Sequence, residues 1–160
     1  MSRATVPVTL EVNGETWDLE VEPRWSLAEV VRSRCGLTGT HLGCEQGICG
    51  SCTVLVDGDP VRSCLIYAVQ CRDSRITTIE GLAAGGDIAD LMEAFSIHHG
   101  LQCGFCTPGF LVLASAVLER DPSISDGDLE EALSSNLCRC TGYYSIIKAV
   151  RSVRDQTSAC

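Results

Sequence analysis

Leu42-Gly43-Cys44-Glu45-Gln46-Gly47-Ile48-Cys49-Gly50-Ser51-Cys52 places three cysteines in one glycine-rich loop, with a fourth, Cys64, downstream. The spacing C-x4-C-x2-C followed by a more distant cysteine is the plant-type pattern in which four thiolates hold a [2Fe–2S] cluster. Gly43, Gly47 and Gly50 suit that chemistry, because glycine takes positive φ freely and lets backbone N–H groups approach sulfur. Such donors stabilise an anionic cluster and help to set its potential. Two other readings compete. The cysteines can be small buried apolar residues, or a structural zinc site, although zinc motifs usually pair two short knuckles and this loop has one.

The surrounding segments predict what carries the loop. Val6, Val8, Leu10 and Val12 alternate with polar neighbours as a half-buried strand does. Asn13-Gly14 is a two-residue hairpin signal, and Trp17, Leu19 and Val21 alternate on the return. Ser26-Leu27-Ala28-Glu29 is a capping box opening a short helix with Leu27, Val30 and Val31 inward and Gly36 as its stop. After the cysteine loop, Thr53–Val56 reads as a strand, Asp57-Gly58 as a turn and Val61–Ile66 as the return, which carries Cys64 back to the loop. Arg75–Ile79 supplies a last strand. Two hairpins around one helix predict a β-grasp sheet over residues 1–81.

Beyond Gly81 the pattern changes. Ala83-Ala84-Gly85-Gly86 reads as a linker. Asp87 is the expected N-cap of a helix with Ile88, Leu91, Met92 and Phe95 inward, closed by Gly100. Thr107-Pro108 is the expected N-cap and first turn of a helix, 109–120, that is apolar almost all round and therefore central. Asp121-Pro122 ends it. Ser125 starts another helix, with Leu129, Ala132 and Leu133 inward, and Ile146, Ile147, Val150 and Val153 mark the last. Residues 82–160 are thus expected to form a small four-helix bundle, and the fold class is α+β.

This second half has its own cysteines: Gln102-Cys103-Gly104-Phe105-Cys106 and Leu137-Cys138-Arg139-Cys140. Both pairs precede predicted helices, whose N-termini favour thiolates. Cys138 and Cys140 need a turn to point the same way, and Thr141-Gly142 helps to provide one. By spacing alone the four ligate a second cluster or zinc, or simply pack.

Eleven cysteines in 160 residues are many. The N-terminus shows no export pattern, so the clusters read as metal ligation in a reducing cytosol, and a cytoplasmic location is expected. Cys35, Cys71 and Cys160 are left as structural or incidental thiols. The net charge of −9 argues against nucleic acid and anionic membrane partners, and no apolar run is long enough to span a bilayer.

The motifs GCEQGICGSC with Cys64, QCGFCTPG and NLCRCTGY together resemble the small iron–sulfur subunit of the molybdenum hydroxylases, the xanthine dehydrogenase and carbon monoxide dehydrogenase group. The resemblance spans nearly the whole chain. It implies a plant-type ferredoxin-like domain followed by a helical [2Fe–2S]-binding domain. Cys44, Cys49, Cys52 and Cys64 would then hold one cluster, and Cys103, Cys106, Cys138 and Cys140 the other. It also implies a large subunit with a molybdenum–pterin cofactor and a medium subunit with FAD, assembled as a dimer of heterotrimers. Electrons would enter at the second cysteine set and leave from the first towards FAD. Gln102 and Cys140 would lie on the pterin side; the plainer reading of Gln102 is a loop amide satisfied by backbone. Larger members fuse these parts, so a chain ending at residue 160 is expected to be a separate subunit.

Lesser signals fit around this frame. His98-His99 closes a helix, which favours a role at its C-terminal dipole over ligation. Arg139 neutralises cluster charge, bridges to the large subunit or is merely solvated, and Phe105, Tyr143 and Tyr144 are expected to shield the cluster. No independent catalytic site is apparent. A freestanding two-cluster ferredoxin and a zinc-stabilised interaction module are the competing functions.

Overall fold

A computed structural model describes residues 4–157; Cys160 lies outside them. The first half is a five-stranded mixed sheet with strands β1 (Val6–Val12), β2 (Glu15–Val21), β3 (Thr53–Val56), β4 (Asp59–Arg62) and β5 (Arg75–Thr77), in the order β2-β1-β5-β3-β4. Both hairpin turns have two consecutive left-handed residues, Asn13-Gly14 and Asp57-Gly58, the geometry that matches strand twist. β5 is the middle strand, parallel to β1 and antiparallel to β3.

Helix α1 (Leu27–Ser33) lies across this sheet, opened by the expected capping box: Glu29 N–H donates to Ser26 Oγ, and Ser26 N–H donates to Glu29 Oε2 at 2.8 Å. Leu27, Val30 and Val31 pack with Val8, Leu10, Val12, Val21, Val54 and Ile76 into the first of two apolar cores. This is the β-grasp arrangement.

The second half has five helices: α2 (Ile79–Gly85), α3 (Ala89–Ile97), α4 (Thr107–Arg120), α5 (Asp126–Ser134) and α6 (Tyr144–Thr157). Helices α3 to α6 form most of the helical core, and α2 adds Leu82 to it. Residues 83–85, expected as linker, close α2 instead, and Gly86 is its left-handed C-cap. The expected caps also shift by one residue. Ile88 rather than Asp87 precedes α3, and Cys106 rather than Thr107 occupies the N-cap of α4, with Thr107 inside the first turn. Helix α3 ends in a Schellman motif: Gly100 N–H donates to Phe95 O, His99 N–H to Ser96 O, and His99 takes the left-handed position. Met92, expected inward, is exposed.

Helix α4 is the centre of this half. Phe110 to Ala114 are buried without interruption, because one flank meets the other helices while the opposite flank meets β3. Leu55 of β3 accordingly belongs to the helical core, not to the sheet core. The sheet is further tied to the start of α2 where Asn13 brackets its N-cap residue Thr78, the Asn13 Oδ1 accepting the Thr78 N–H at 2.9 Å and its Nδ2 donating to the hydroxyl at 3.0 Å.

Candidate metal centres

The loop between α1 and β3 carries Cys44, Cys49 and Cys52, and left-handed Glu45, Gly47 and Gly50 turn its backbone inward. Cys64 sits just beyond the second arm of the β3–β4 hairpin, in a 3₁₀ turn over Ser63–Leu65, rather than on a strand continuing to Ile66. Cys44 Sγ accepts the N–H groups of Gln46 and Cys49, each at 3.4 Å. Those two donors, Gln46 first, hold its pKa down at about 7. Cys64 goes the other way: burial and its Cys52 neighbour push it up to about 11.

The second set is built from two helix approaches. Cys103 and Cys106 flank left-handed Gly104 ahead of α4, and Cys138 and Cys140 precede α6 in the turn completed by left-handed Gly142 and Tyr143. The sulfurs of Cys103 and Cys140 lie 3.5 Å apart, while Cys106 and Cys138 form the inner pair. Burial raises Cys138, but it ends up lowered because the Thr141 hydroxyl at 3.1 Å, the Thr141 N–H at 3.4 Å and the Cys140 N–H all donate to its sulfur. Cys106 is pushed up to about 12, first by burial and then by Cys138. The Cys103 thiol beside Cys140 raises the latter.

The ten described cysteines are all free thiols, and in both sets the sulfurs pair two and two. Cys44 faces Cys49 and Cys52 faces Cys64; Cys103 faces Cys140 and Cys106 faces Cys138. A single zinc ion would instead gather four sulfurs about one point. Two thiolates for each of two irons is the requirement of a [2Fe–2S] cluster. Crowded thiols that raise one another's pKa need a multivalent cation to ionise together, and the N–H groups aimed at Cys44 and Cys138 suit a cluster of net negative charge. The donor sets fit such a group.

Comparison with known proteins indicates the same cofactor. Residues 10–83 match the 2Fe-2S iron-sulfur cluster binding domain, and residues 78–151 match the [2Fe-2S] binding domain. The chain is 48% identical to the caffeine dehydrogenase subunit gamma of Pseudomonas sp. (strain CBB1), covering 94% of this chain and 92% of that one. It is 50% identical to the nicotine 6-hydroxylase small subunit of Paenarthrobacter nicotinovorans, covering 91% and 87%. The crystal structure of quinoline 2-oxidoreductase from Pseudomonas putida 86 superposes with a TM-score of 0.90 at 46% identity, over 99% of this chain and 97% of that one.

The chain belongs to the small iron–sulfur subunits of the molybdenum hydroxylases. It is therefore an electron-transfer subunit of an oxidoreductase, built from two [2Fe–2S]-binding domains.

Against that family frame, the remaining residues fall into place. Gln102 Nε2 donates to the carbonyl of Cys140 at 3.0 Å, so the two residues expected on the pterin side are joined to each other. Tyr143 is half-buried, packed edge-on against Phe110, and its hydroxyl accepts the Cys138 N–H at 3.2 Å. Tyr144, expected to shield the site, is 76% exposed. Arg139 is exposed. Cys35 and Cys71 are buried in the sheet core.

Sequence reasoning missed the seam between the two cysteine sets. The Leu137 N–H donates to the Cys49 carbonyl at 2.9 Å, and Arg62 donates to both Ser135 O and Thr53 Oγ1. Gly109 of α4 lies directly on the Gly50 carbonyl, while the Asn136 side chain covers the other side of Gly50. Asn136 is only 1% exposed, yet neither of its amide atoms has a hydrogen-bond partner among the described residues. The only advance signal was the surplus of glycine in these loops.

Proposed function

We propose that Cys44, Cys49, Cys52 and Cys64 ligate one [2Fe–2S] cluster and that Cys103, Cys106, Cys138 and Cys140 ligate the second. A [2Fe–2S] cluster, when bound, accepts and releases one electron at a time. Everything else is the work of the chain: backbone N–H groups offset negative charge at Cys44 and Cys138, and the fold keeps the two nests adjacent. The two-and-two pairing of sulfurs in both sets carries this reading.

Electrons enter from a molybdenum–pterin cofactor in a large subunit at the exposed Cys103–Cys140 side, where Gln102 and Cys140 face the pterin. They leave past the first nest to FAD in a medium subunit, the whole forming a dimer of heterotrimers in the cytoplasm. Exposed apolar residues beside each nest support partners on both sides: Ile48 and Leu65 by the first, Leu101, Phe105, Leu137 and Tyr144 by the second. Among the described residues no helix is long and apolar enough to cross a membrane. Residues 1–81 and 82–160 act as the two units, a division supported by their separate apolar cores. The names of the relatives, for caffeine, nicotine and quinoline, point to a nitrogen heteroaromatic as the substrate class of the assembled enzyme.

Iron analysis and spin resonance test the assignment. The holoprotein should hold roughly four irons per chain and show two paramagnetic centres after reduction. Cys138→Ser should remove one centre and leave the other. Four irons retained in Cys138→Ser, or one centre in the unaltered protein, would refute it.

A further inference from the structure

Phe105 lies inside the Cys103–Cys106 loop, yet its closest partners belong to the other half of the chain. Its ring stacks on the His41 imidazole, with centroids 4.8 Å apart and planes inclined by 16°. His41 Nδ1 stands 2.7 Å from the Phe105 carbonyl oxygen. A carbonyl only accepts, so Nδ1 carries the proton. The ring edge rests on Gly43, where a Cβ would stand 3.3 Å from Phe105 Cε1. His41 is in turn fixed to its own loop, its N–H donating to Ser51 O at 3.2 Å. The ring of one cysteine loop is thus clamped between two residues that lead into Cys44 of the other.

The Cys103–Cys106 loop has much to gain from such a clamp. It turns through left-handed Gly104, and Cys103 is exposed. We propose that His41 and Phe105 are positioning residues, a latch by which the first nest fixes the distance and orientation of the second, and so of the two clusters. Neither residue contacts a cluster as a ligand. The inference rests on the two-cluster assignment above.

The test compares the reduced holoprotein of the natural chain, His41→Ala, His41→Gln and Phe105→Ala by iron content and low-temperature spin resonance. The latch predicts that His41→Ala and Phe105→Ala keep the first-site signal. The magnetic coupling between the two centres should shift, and the second signal should broaden or be lost with its iron. Gln has a side-chain N–H that can reach the same carbonyl, so His41→Gln should restore the natural spectrum. Spectra of both alanine variants that superimpose on the natural one would overturn the latch, as would equal damage to both signals, the mark of a general packing role. A natural chain with a single centre would instead remove the two-cluster assignment and the latch together.

Discussion

Gly109 sits in the first turns of α4, where the usual rule makes Gly→Ala stabilising by roughly 0.5–1 kcal/mol through helix propensity. The structure reverses that expectation. A Cβ on Gly109 would intrude on the Gly50 carbonyl oxygen and stand 3.2 Å from both the Gly50 carbonyl carbon and the Ser51 Cα. All three are backbone atoms of the first cysteine loop, so no flexible side chain can swing aside. Overpacking of this kind costs about 1–3 kcal/mol, which offsets or outweighs the propensity gain and leaves a net loss of up to about 2.5 kcal/mol. At about 2–4 °C per kcal/mol for a chain of this size, Gly109→Ala should lower the apparent Tm by up to about 10 °C. Gly127→Ala in α5 is the control, since a Cβ there would stand 4.0 Å from Ser125 Oγ, an ordinary contact with a flexible side chain. It should hold or raise the Tm. Anaerobic thermal scans of both holoproteins by far-UV circular dichroism, at one scan rate, give the comparison. A Gly109→Ala protein that melts at or above its Gly127→Ala counterpart would refute the close seating of α4 on the Gly50 loop.

Three further outcomes follow from individual contacts. Thr141→Val removes the hydroxyl donor 3.1 Å from Cys138 Sγ. Losing about 1 kcal/mol of hydrogen bonding to a more negative reduced state should lower that centre's potential by roughly 40 mV, measured by redox titration; an unchanged or higher value counts against it. Asn13→Ala gives up both bonds to Thr78 and places a Cβ-bearing residue without a polar side chain at φ 53°. It should cost about 2 kcal/mol of stability, read from denaturant unfolding, and a loss under 0.5 kcal/mol would show the bracket to be idle. The Cys35 pKa is raised by burial to about 11, so its thiolate is scarce at pH 8 and appears only as the pH climbs towards that value. Alkylation of Cys35 in the folded protein should be about 100-fold slower than for an ordinary exposed thiol, as read by mass spectrometry, and equal rates would refute its burial.

The local grammar of the chain was legible in its sequence. Asn13-Gly14, the Ser26–Glu29 capping box and the Ser125 cap each determine their element through bonds within a few residues, so reading neighbours suffices. Both cysteine sets were legible for the same reason, since their spacing encodes their chemistry. The departures lie where a distant partner decides. Residues 83–85 are helical because Leu82 and its turn pack against the helical core, a gain that small flexible residues alone do not announce. Thr107 loses the cap to Cys106 because the preceding loop is bent by Gly104. The Asn136–Gly50–Gly109 stack and the His41–Phe105 contact join residues between 59 and 86 positions apart in the chain, and no periodicity records such a meeting.

The place of β5 in the sheet sets a timetable for synthesis. A nascent chain that has emerged only as far as Ser74 already contains Cys44, Cys49, Cys52 and Cys64, but its two hairpins have no strand between them. Arg75–Thr77 then slots between β1 and β3 and joins them into one surface. β5 follows all four of those cysteines in the chain, so the sheet that carries the first nest is complete only once Arg75–Thr77 has joined it.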